Sequence, residues 1–449
     1  MTRAARWRVG ALVGLVGLLA SLVAVGALTR GTSAAWQDRV HLGGTLVADV
    51  LTPDPISAGK DFTCAVVFGK AWCWGAGDNG KLGTGSAAAA NVPVAVDTRS
   101  MSGTVTDVSA GVDSACAATS GSAWCWGVNG GLLGNFPTDP TNPYTSPLPV
   151  KVYAAPEGPG PNDYRSPLAG QTVTSVAAGN FIACASGAEG GAGCWGSVVR
   201  LTRPSSGPLS RPNAPIVVPD SATDPTSELP VGARVTATSS RFENACVLAD
   251  GWPYCWGVNT EGQLGIGTTG SARSAPVAVS GAGDLPAGAV VDKISVGEYH
   301  SCALSAGQVY CWGQRSAGAV GDGNLTSLSQ VAPSRVTALS ALTATDVGTG
   351  TWSSCAVVTT GDVYCWGTNS DGQLGSPTAT QYQAWPTPVL VSRPSGVTFT
   401  AVTVGNRHAC ATTTTGAVYC WGAAGTLGTG PGQVQTMAPT VPVTATWAP

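Results

Sequence analysis

The sequence has few charged residues and no basic stretch beyond its N-terminus. Only 10% of its 449 residues are Asp, Glu, Lys or Arg, and the formal net charge is −3. Proteins that bind nucleic acid usually carry clustered Lys and Arg, because these side chains neutralise the phosphates. The composition therefore argues against nucleic acid as a partner.

The sequence also lacks the short motifs of metal and phosphate sites. Its 14 cysteines include no C-x-x-C knuckle of the kind that zinc sites usually show. Its glycine-rich turns are not followed by the Lys-Ser/Thr pair and the helix of a phosphate-binding loop. We therefore expect no metal and no cofactor, and the many cysteines indicate an oxidising compartment.

The N-terminus has the features of an export signal. Several arginines precede the uncharged apolar stretch 9–28, and small residues follow at 33–35. This pattern predicts a signal peptide over residues 1–35, cleaved near Ala35, and a linker over 36–49. Because the stretch 9–28 is long enough to cross a membrane, a retained signal anchor is the alternative. Either way, we expect an exported bacterial protein that is extracellular or at the cell surface.

The most informative feature of the sequence is a repeat. The tripeptide Cys-Trp-Gly occurs seven times, and a second cysteine precedes each copy, so that all 14 cysteines fall into pairs. The pairs are Cys64 with Cys73, Cys116 with Cys125, Cys184 with Cys194, Cys246 with Cys255, Cys302 with Cys311, Cys355 with Cys365, and Cys410 with Cys420.

Each pair brackets a short hairpin. In some repeats the centre is a two-residue turn such as Asp250-Gly251, and in others it is a three-residue loop that ends in glycine, as at Gly361. Both turns place the two cysteines opposite each other on neighbouring antiparallel strands, within or near disulfide range. We therefore predict seven disulfides, one in each repeat; reduced cysteines packed as small apolar residues are the alternative.

Two further strands recur in each repeat. One precedes the first cysteine, as in 105–110, and the other follows the Cys-Trp-Gly strand and contains Pro and Val, as in Val92-Pro93-Val94. Four antiparallel strands in a repeating unit form a propeller blade. The sequence therefore predicts an all-β fold, a β-propeller of four-stranded antiparallel blades over residues 50–449.

Three motifs carry a resemblance to a known family. They are the G-x-x-H-S-x-A-L pattern at 297–304, the V-Y-x-W-G pattern at 309–313 and the N-x-x-G-Q-L-G pattern at 259–265. Together they resemble the repeat of the regulator of chromosome condensation, and the paired cysteines are similar to those of its bacterial extracytoplasmic members. The resemblance runs from about residue 50 to the C-terminus. It implies a seven-bladed propeller of a family whose members mostly bind proteins.

The C-terminus suggests how such a ring would close. The first repeat has no Pro-Val strand before it, whereas the last repeat is followed by one at 438–443. We therefore predict that this C-terminal strand completes the first blade and closes the circle.

Residues that break the repeat are the candidates for partner binding. The signature tryptophans occupy the same place in every repeat, so we interpret them as packing residues. Trp252, Trp352 and Trp385 are irregular, and we predict that they contact a partner. His300 and His408 lie at the family's structural histidine position, and we assign no catalytic residue, because no base, nucleophile and carboxylate recur at a telling spacing.

Long insertions also break the repeat, and they lie in the second and third units. Those at 154–168 and 219–230 follow the fourth strand of a blade, so they emerge on the same face as the disulfide hairpin turns. We hypothesise that this face meets an unknown protein partner.

The function that we predict is a non-enzymatic interaction scaffold. The alternatives are a secreted inhibitor of a β-lactamase or penicillin-binding protein, and a glycan hydrolase or lyase with carboxylates in the central channel.

Overall fold

The computed structural model describes residues 55–135, 144–154, 166–196, 215–432, 434–439 and 441–443. The predicted signal segment and linker lie outside the described residues, as does the apolar stretch 9–28. Within the described ranges, no helix is both long and apolar enough to span a membrane.

The described residues form seven antiparallel sheets, each of which is one blade of a propeller. The first three blades contain β1 (Ile56–Ala58), β2 (Phe62–Val67), β3 (Lys70–Gly75) and β4 (Ala90–Ala95); β5 (Val105–Ala110), β6 (Ser114–Thr119), β7 (Ser122–Val128) and β8 (Thr145–Lys151); and β9 (Val173–Ala178), β10 (Ile182–Gly187), β11 (Ala192–Gly196) and β12 (Ile216–Val217).

The other four blades follow in chain order. They contain β13 (Val235–Arg241), β14 (Asn244–Ala249), β15 (Trp252–Asn259) and β16 (Gly270–Ala278); β17 (Lys293–Val296), β18 (His300–Ser305), β19 (Gln308–Gly313) and β20 (Gln330–Arg335); β21 (Ala344–Thr349), β22 (Ser353–Val358), β23 (Val363–Thr368) and β24 (Ala384–Leu390); and β25 (Phe399–Val404), β26 (His408–Thr413) and β27 (Val418–Gly422). The fold is therefore the seven-bladed, all-β propeller that the repeats predict.

The predicted closure of the ring is wrong. In the residues that the structure describes, the C-terminal segment pairs with no strand of the first blade, which has four strands of its own, β1 to β4. Instead it bridges β27 of the seventh blade, where Tyr419 pairs with Pro442 and Gly422 with Thr436. The physical reason is that each Pro-Val strand pairs with the Cys-Trp-Gly strand just before it in the chain, so that seven repeats supply seven such strands and none is in excess.

The ring is closed by side chains instead of a shared sheet. Where the seventh blade meets the first, Trp74 donates to the carbonyl of Thr426 at 3.1 Å, and the amide of Ala58 donates to Thr403 Oγ1 at 2.9 Å. Apolar side chains of both blades, Trp74, Val418 and Val443 among them, pack in one core cluster at this seam.

The seven cysteine pairs form disulfides within the blades. In each pair the two residues lie directly opposite each other on the second and third strands, with Cα atoms 4.0 to 4.1 Å apart. A disulfide that closes a loop of about ten residues contributes about 2 to 3 kcal/mol in the chain-entropy account. No disulfide joins two blades, so the interfaces between blades depend on packing and hydrogen bonds.

The signature tryptophans make the main polar contact between blades. All seven are buried, and in six of them the indole N–H donates to a main-chain carbonyl in the turn after the third strand of the preceding blade, at 2.7 to 3.1 Å. The pairs are Trp126 with Lys81, Trp195 with Leu132, Trp312 with Gln263, Trp366 with Ala319, Trp421 with Gln373 and Trp74 with Thr426. The turn that would serve Trp256 lies outside the described residues.

This contact explains the last glycine of the N-x-x-G-Q-L-G turn. Gly265 has a φ of +71°, and a Cβ at this position would lie 2.6 Å from Trp312 Nε1. The corresponding Gly375 has a φ of +66° and the same 2.6 Å distance to Trp421 Nε1. Only glycine satisfies both the left-handed backbone and the close approach of the next blade's indole.

A second set of hydrogen bonds joins the blades around the central channel. At five junctions a Ser or Thr hydroxyl in the inner strand of one blade accepts from a main-chain amide of the next inner strand, at 2.9 to 3.0 Å. These bonds run from Ala110 to Ser57, Ala178 to Ser109, Val296 to Ser239, Thr349 to Ser295 and Ala58 to Thr403. In the described residues, the indole bonds therefore recur at six of the seven junctions, and the hydroxyl bonds occur at five of those six.

The tryptophan contact predicts different costs for two Gly→Ala changes. Gly288 has a φ of +78° with no atom within 4 Å of the position of a Cβ, so Gly288→Ala should cost only the left-handed strain, about 1 kcal/mol. Gly265→Ala should cost about 3 kcal/mol, because it also displaces the buried Trp312 indole from its acceptor. Chemical denaturation of both variants measures the difference, and equal losses would contradict the assigned role of the tryptophan.

Candidate functional site

The turns between the first and second strands of the blades surround one end of the central channel. We name this ring the channel mouth; it comprises residues 59–62, 111–114, 179–182, 241–244, 297–300, 350–353 and 405–408. Main-chain hydrogen bonds link neighbouring turns, such as Lys60 N to Gly111 O at 3.0 Å and Phe181 N to Phe242 O at 3.0 Å. The channel mouth is thus a connected rim on one face of the propeller.

Six of the seven turns begin with glycine, and the fourth begins with arginine. A Cβ on Gly111 would lie 2.6 Å from the carbonyl oxygen of Gly179, and a Cβ on Gly297 would lie 2.6 Å from that of Gly350. The rim is thus too tightly packed for side chains at these positions. The exception, Arg241, is the most informative departure from the repeat.

Arg241 extends across the channel to the seam between the last and first blades. Its Nη1 donates to the carbonyls of Ala58 in β1 and Val404 in β25, at 3.3 and 3.2 Å. Burial lowers the pKa of Arg241 to about 10, and the Glu298 carboxylate partly opposes that change, so the guanidinium stays charged at neutral pH. One charged side chain therefore spans the channel and connects both strands of the closing seam.

The buried histidines are structural. His300 Nε2 lies 2.7 Å from Ser354 Oγ, and His408 Nε2 lies 2.8 Å from Thr63 Oγ1, each in the next blade around the ring. Ser354 is itself buried and donates to the carbonyl of Ala319. Burial lowers the pKa of both histidines to about 3, and the charge of Arg241 adds to the effect, so both rings are neutral links between blades at physiological pH.

The carboxylates inside the channel also connect blades. Asp107 accepts from the amides of Val108 and Val176, both at 2.9 Å, and Asp346 accepts from the amide of Val402 and pairs with Lys293. Burial raises the pKa of Asp107 to about 7, although these amides and Lys293 act in the opposite direction. Backbone amides engage both oxygens of Asp107, and the Val402 amide and Lys293 engage those of Asp346, so these two groups do not form the paired acid and base that a glycan hydrolase requires.

Aromatic side chains occupy one half of the channel mouth. Phe181, Phe242, Tyr299 and Trp352 come from four consecutive blades, the third to the sixth; we name them the aromatic arc. Phe181 and Phe242 meet edge to face with centroids 5.7 Å apart, and Tyr299 stacks on Trp352 at 4.3 Å and 21°. Phe181 is 38% exposed and the other three are half-buried. Partly exposed aromatic residues of this kind are typical anchors of protein interfaces.

The other half of the channel mouth is polar, and two ion pairs involve its residues. Lys81, in a neighbouring turn, lies 3.4 Å from Asp113 of the rim, and Arg407 of the rim pairs with Asp371. The two halves of the rim therefore differ in chemistry, although they share one backbone geometry.

The structure places the three predicted partner-binding tryptophans at three separate positions. Trp352 belongs to the aromatic arc. Trp252 lies beside a hairpin turn on the opposite face and donates to the carbonyl of Val279 at 3.2 Å, and Trp385 lies on the outer strand β24 and donates to that of Thr380 at 3.2 Å. The three do not form one surface.

Sequence reasoning missed Phe181, Phe242, Tyr299 and Arg241. An alignment of the seven turns that follow the first strands could have found these residues. Only four turns have an aromatic residue at their second or third position, and only one begins with arginine.

The insertion 219–230 is part of the packed fold. Leu229 is buried in the core, and the amide of Glu228 donates to the carbonyl of Pro276 on β16 at 2.8 Å. Most of the insertion 154–168 lies outside the described residues. The hypothesis that this face meets a partner remains a prediction.

Comparisons with known proteins agree with the repeat and the fold. The regulator of chromosome condensation (RCC1) repeat matches residues 69–118, 250–304, 306–357 and 360–412, and a second form of it matches 291–318, 344–373 and 399–426. The chain is 27% identical to the ultraviolet-B receptor UVR8 of Arabidopsis thaliana over 84% of this chain and 79% of that protein. It is 31% identical to the human E3 ubiquitin-protein ligase HERC2, over 42% of this chain but 4% of HERC2.

Two solved structures share the fold. The crystal structure of Prp20p from Saccharomyces cerevisiae superposes with a TM-score of 0.67 at 21% identity, over 86% of each chain. Human WBSCR16 superposes with a TM-score of 0.67 at 17% identity, over 84% of this chain and 94% of that one.

The contacts of Arg241 predict a stability loss at the seam. Arg241→Met removes both hydrogen bonds from a charged donor, and the free energy of unfolding should fall by about 2 to 3 kcal/mol. The amide of Ala58, at the seam, should exchange with solvent faster. Arg273→Met, on the exposed outer strand β16, is the matched control and should change neither quantity. Equal effects of the two substitutions would contradict the role of Arg241 across the channel.

The lowered histidine pKa predicts a pH-dependent difference between variants. His408 is neutral in the folded protein but takes up a proton below pH 6.5 when unfolded, so its stabilisation is complete above that pH and is lost as the pH falls towards 3. His408→Gln keeps an amide nitrogen near Thr63 and does not titrate. Relative to the parent, the variant should gain about 2 to 3 kcal/mol between pH 7 and pH 4.5. Denaturation curves at both pH values provide the test, and a constant difference would contradict it.

Proposed function

Because the chain belongs to the regulator of chromosome condensation (RCC1) repeat family, we propose that it is an exported, non-enzymatic scaffold that binds a protein partner at the cell surface. The propeller of this family is a protein-interaction fold. Prp20p, which shares the fold, has binding properties towards Gsp1p and histones and has been crystallised with Kap60. We transfer only the mode of action, which is the binding of a protein to the propeller. We do not transfer these partners.

The observation that carries the proposal is the complete pairing of the cysteines. All 14 form disulfides in the structure, at positions that the hairpin register brings together. Structural disulfides form and persist in oxidising compartments and are rare in the cytosol. Together with the signal-like N-terminus, which ends in a cleavage site or a retained anchor, they support export.

The channel mouth supports binding over chemistry. Its histidines and the channel carboxylates are held by neighbouring blades, whereas the aromatic arc is partly exposed. The ligase activity of HERC2 is not transferred, because the match covers 4% of that protein.

A second candidate function is favoured by the aromatic arc. A secreted inhibitor of a β-lactamase or penicillin-binding protein would need an aromatic-rich surface on one face of the propeller to fill an enzyme cleft. Phe181, Phe242, Tyr299 and Trp352 offer such a surface. Nanomolar inhibition of such an enzyme, lost in Trp352→Ala, would select this function over the scaffold.

The proposal predicts an exported protein without free thiols. The full chain is expressed in a bacterial host and fractionated, and each fraction is treated with a maleimide that adds mass to free thiols. We expect the protein outside the cytoplasm with no added mass until a reductant is supplied, because every cysteine is bonded. A control without residues 2–35 should stay in the cytoplasm and react. A full-length chain that stays in the cytoplasm with reactive thiols would refute the proposal, and the mass of the exported chain distinguishes cleavage near Ala35 from a retained anchor.

A further inference from the structure

The Tyr299–Trp352 stack lies in an acidic part of the channel mouth. Burial raises the pKa of Tyr299 to about 12, a hydrogen bond to the Glu298 side chain adds to the increase, and so do the charges of Glu298 and Glu261. In the part of the chain that the structure describes, none of the ion pairs includes Glu261 or Glu298. The Tyr299 side of the stack is therefore influenced by two carboxylates that have hydrogen bonds, Glu298 with Tyr299 and Glu261 with Ser329, but no salt bridge.

The cation near this acidic area is already engaged elsewhere. Arg241 interacts electrostatically with Glu298, but its Nη1 donates to Ala58 and Val404 on the far side of the channel. In the polar half of the rim, Asp113 pairs with Lys81, and Arg407 pairs with Asp371. Glu261 and Glu298 have no such ion pair among the described residues.

Trp352 also has a free donor. The indole nitrogens of Trp252 and Trp385 donate to carbonyls of this chain, and those of six signature tryptophans do the same. Among the described residues, Trp352 Nε1 has no hydrogen-bond acceptor, and this nitrogen is not buried. This N–H is therefore open to solvent and available to an acceptor on a ligand.

From these observations we infer that Tyr299, Trp352, Glu261 and Glu298 form a docking site for an arginine or lysine side chain in a loop of the protein partner. The inference rests on the proposed function and names the chemistry of the partner. The cationic group lies against an aromatic ring and near the two carboxylates, a combination that favours a cation in two ways. A main-chain carbonyl of the same loop accepts from Trp352 Nε1.

The rest of the aromatic arc defines the neighbours of that basic residue. Phe181 and Phe242 lie in the two turns on the other side of Glu298, and they offer apolar surface to a residue next to the basic one. Phe242 has a φ of +51°, a left-handed conformation that is rare for an aromatic residue and costs about 1 kcal/mol or more. The expected ligand is therefore a short loop with a basic residue beside an aromatic or aliphatic one.

The experiment measures the preference of the intact protein for charge in a short peptide. Purified, disulfide-intact protein is labelled with 5-fluorotryptophan, and the Trp352 fluorine resonance is assigned with Trp352→Phe. Capped five-residue peptides with a central arginine, glutamine or glutamate between two phenylalanines are then titrated. The arginine peptide should shift the Trp352 resonance and bind about tenfold more tightly than the glutamine peptide, and the glutamate peptide more weakly still.

Two variants test the assignment of the site. Glu261→Gln with Glu298→Gln keeps the shape of the rim and should abolish the preference for arginine over glutamine while leaving the protein folded. Trp352→Leu should remove most of the binding, whereas Trp385→Leu, on the outer strand of the same blade, is the matched control and should leave it unchanged. Added salt should weaken the arginine peptide more than the glutamine peptide.

Several results would overturn the inference. They are equal affinities for the three peptides, the absence of binding, a preference for arginine that survives in the double Glu→Gln variant, and binding of neutral oligosaccharides in place of the peptides. Export and thiol protection are measured separately. An exported, fully oxidised protein without the arginine preference would remove this site alone and leave the proposed function standing.

Discussion

The hydrogen bond from the signature indole to the turn of the preceding blade is the interaction on which the ring depends. It recurs at six of the seven junctions in the described residues, including the one between the first and last blades. It explains three recurring features of the repeat: a buried tryptophan, a glycine with positive φ, and a turn whose carbonyl accepts from the next blade. Because it forms between neighbours, the same contact that stacks two blades also closes the circle, and no strand need be exchanged.

Covalent and non-covalent interactions have separate roles in this molecule. The disulfides join the second and third strands of single blades, so they stabilise each blade without restricting its position in the ring. The interfaces between blades depend on indoles at the outside, hydroxyls around the channel and buried neutral histidines between them. Arg241 adds a longer connection, because it reaches from the fourth blade to the seam at the opposite side of the ring.

Function is indicated by the residues that depart from the repeat. Positions shared by the seven blades are occupied by packing residues, and their chemistry is explained by the fold. The channel mouth is where the blades differ: glycine gives way to Arg241, and aromatic residues replace polar ones in four consecutive turns. The channel mouth is polar on one side and aromatic and acidic on the other, so the two sides differ in chemistry.

The sequence by itself determined the disulfide pairing, the four-stranded blade and the number of blades, because each follows from hairpin register over about ten residues or from counting a repeat. It could not determine how the ring closes, since the Pro-Val strand at 438–443 satisfies the same local pattern whichever blade it joins. Nor could it show that Trp352 lies with Phe181, Phe242 and Tyr299 whereas Trp252 and Trp385 lie apart. Those relations were decided by the tertiary structure alone, because the positions of residues from different blades depend on the packing of the whole ring and not on any local stretch of chain.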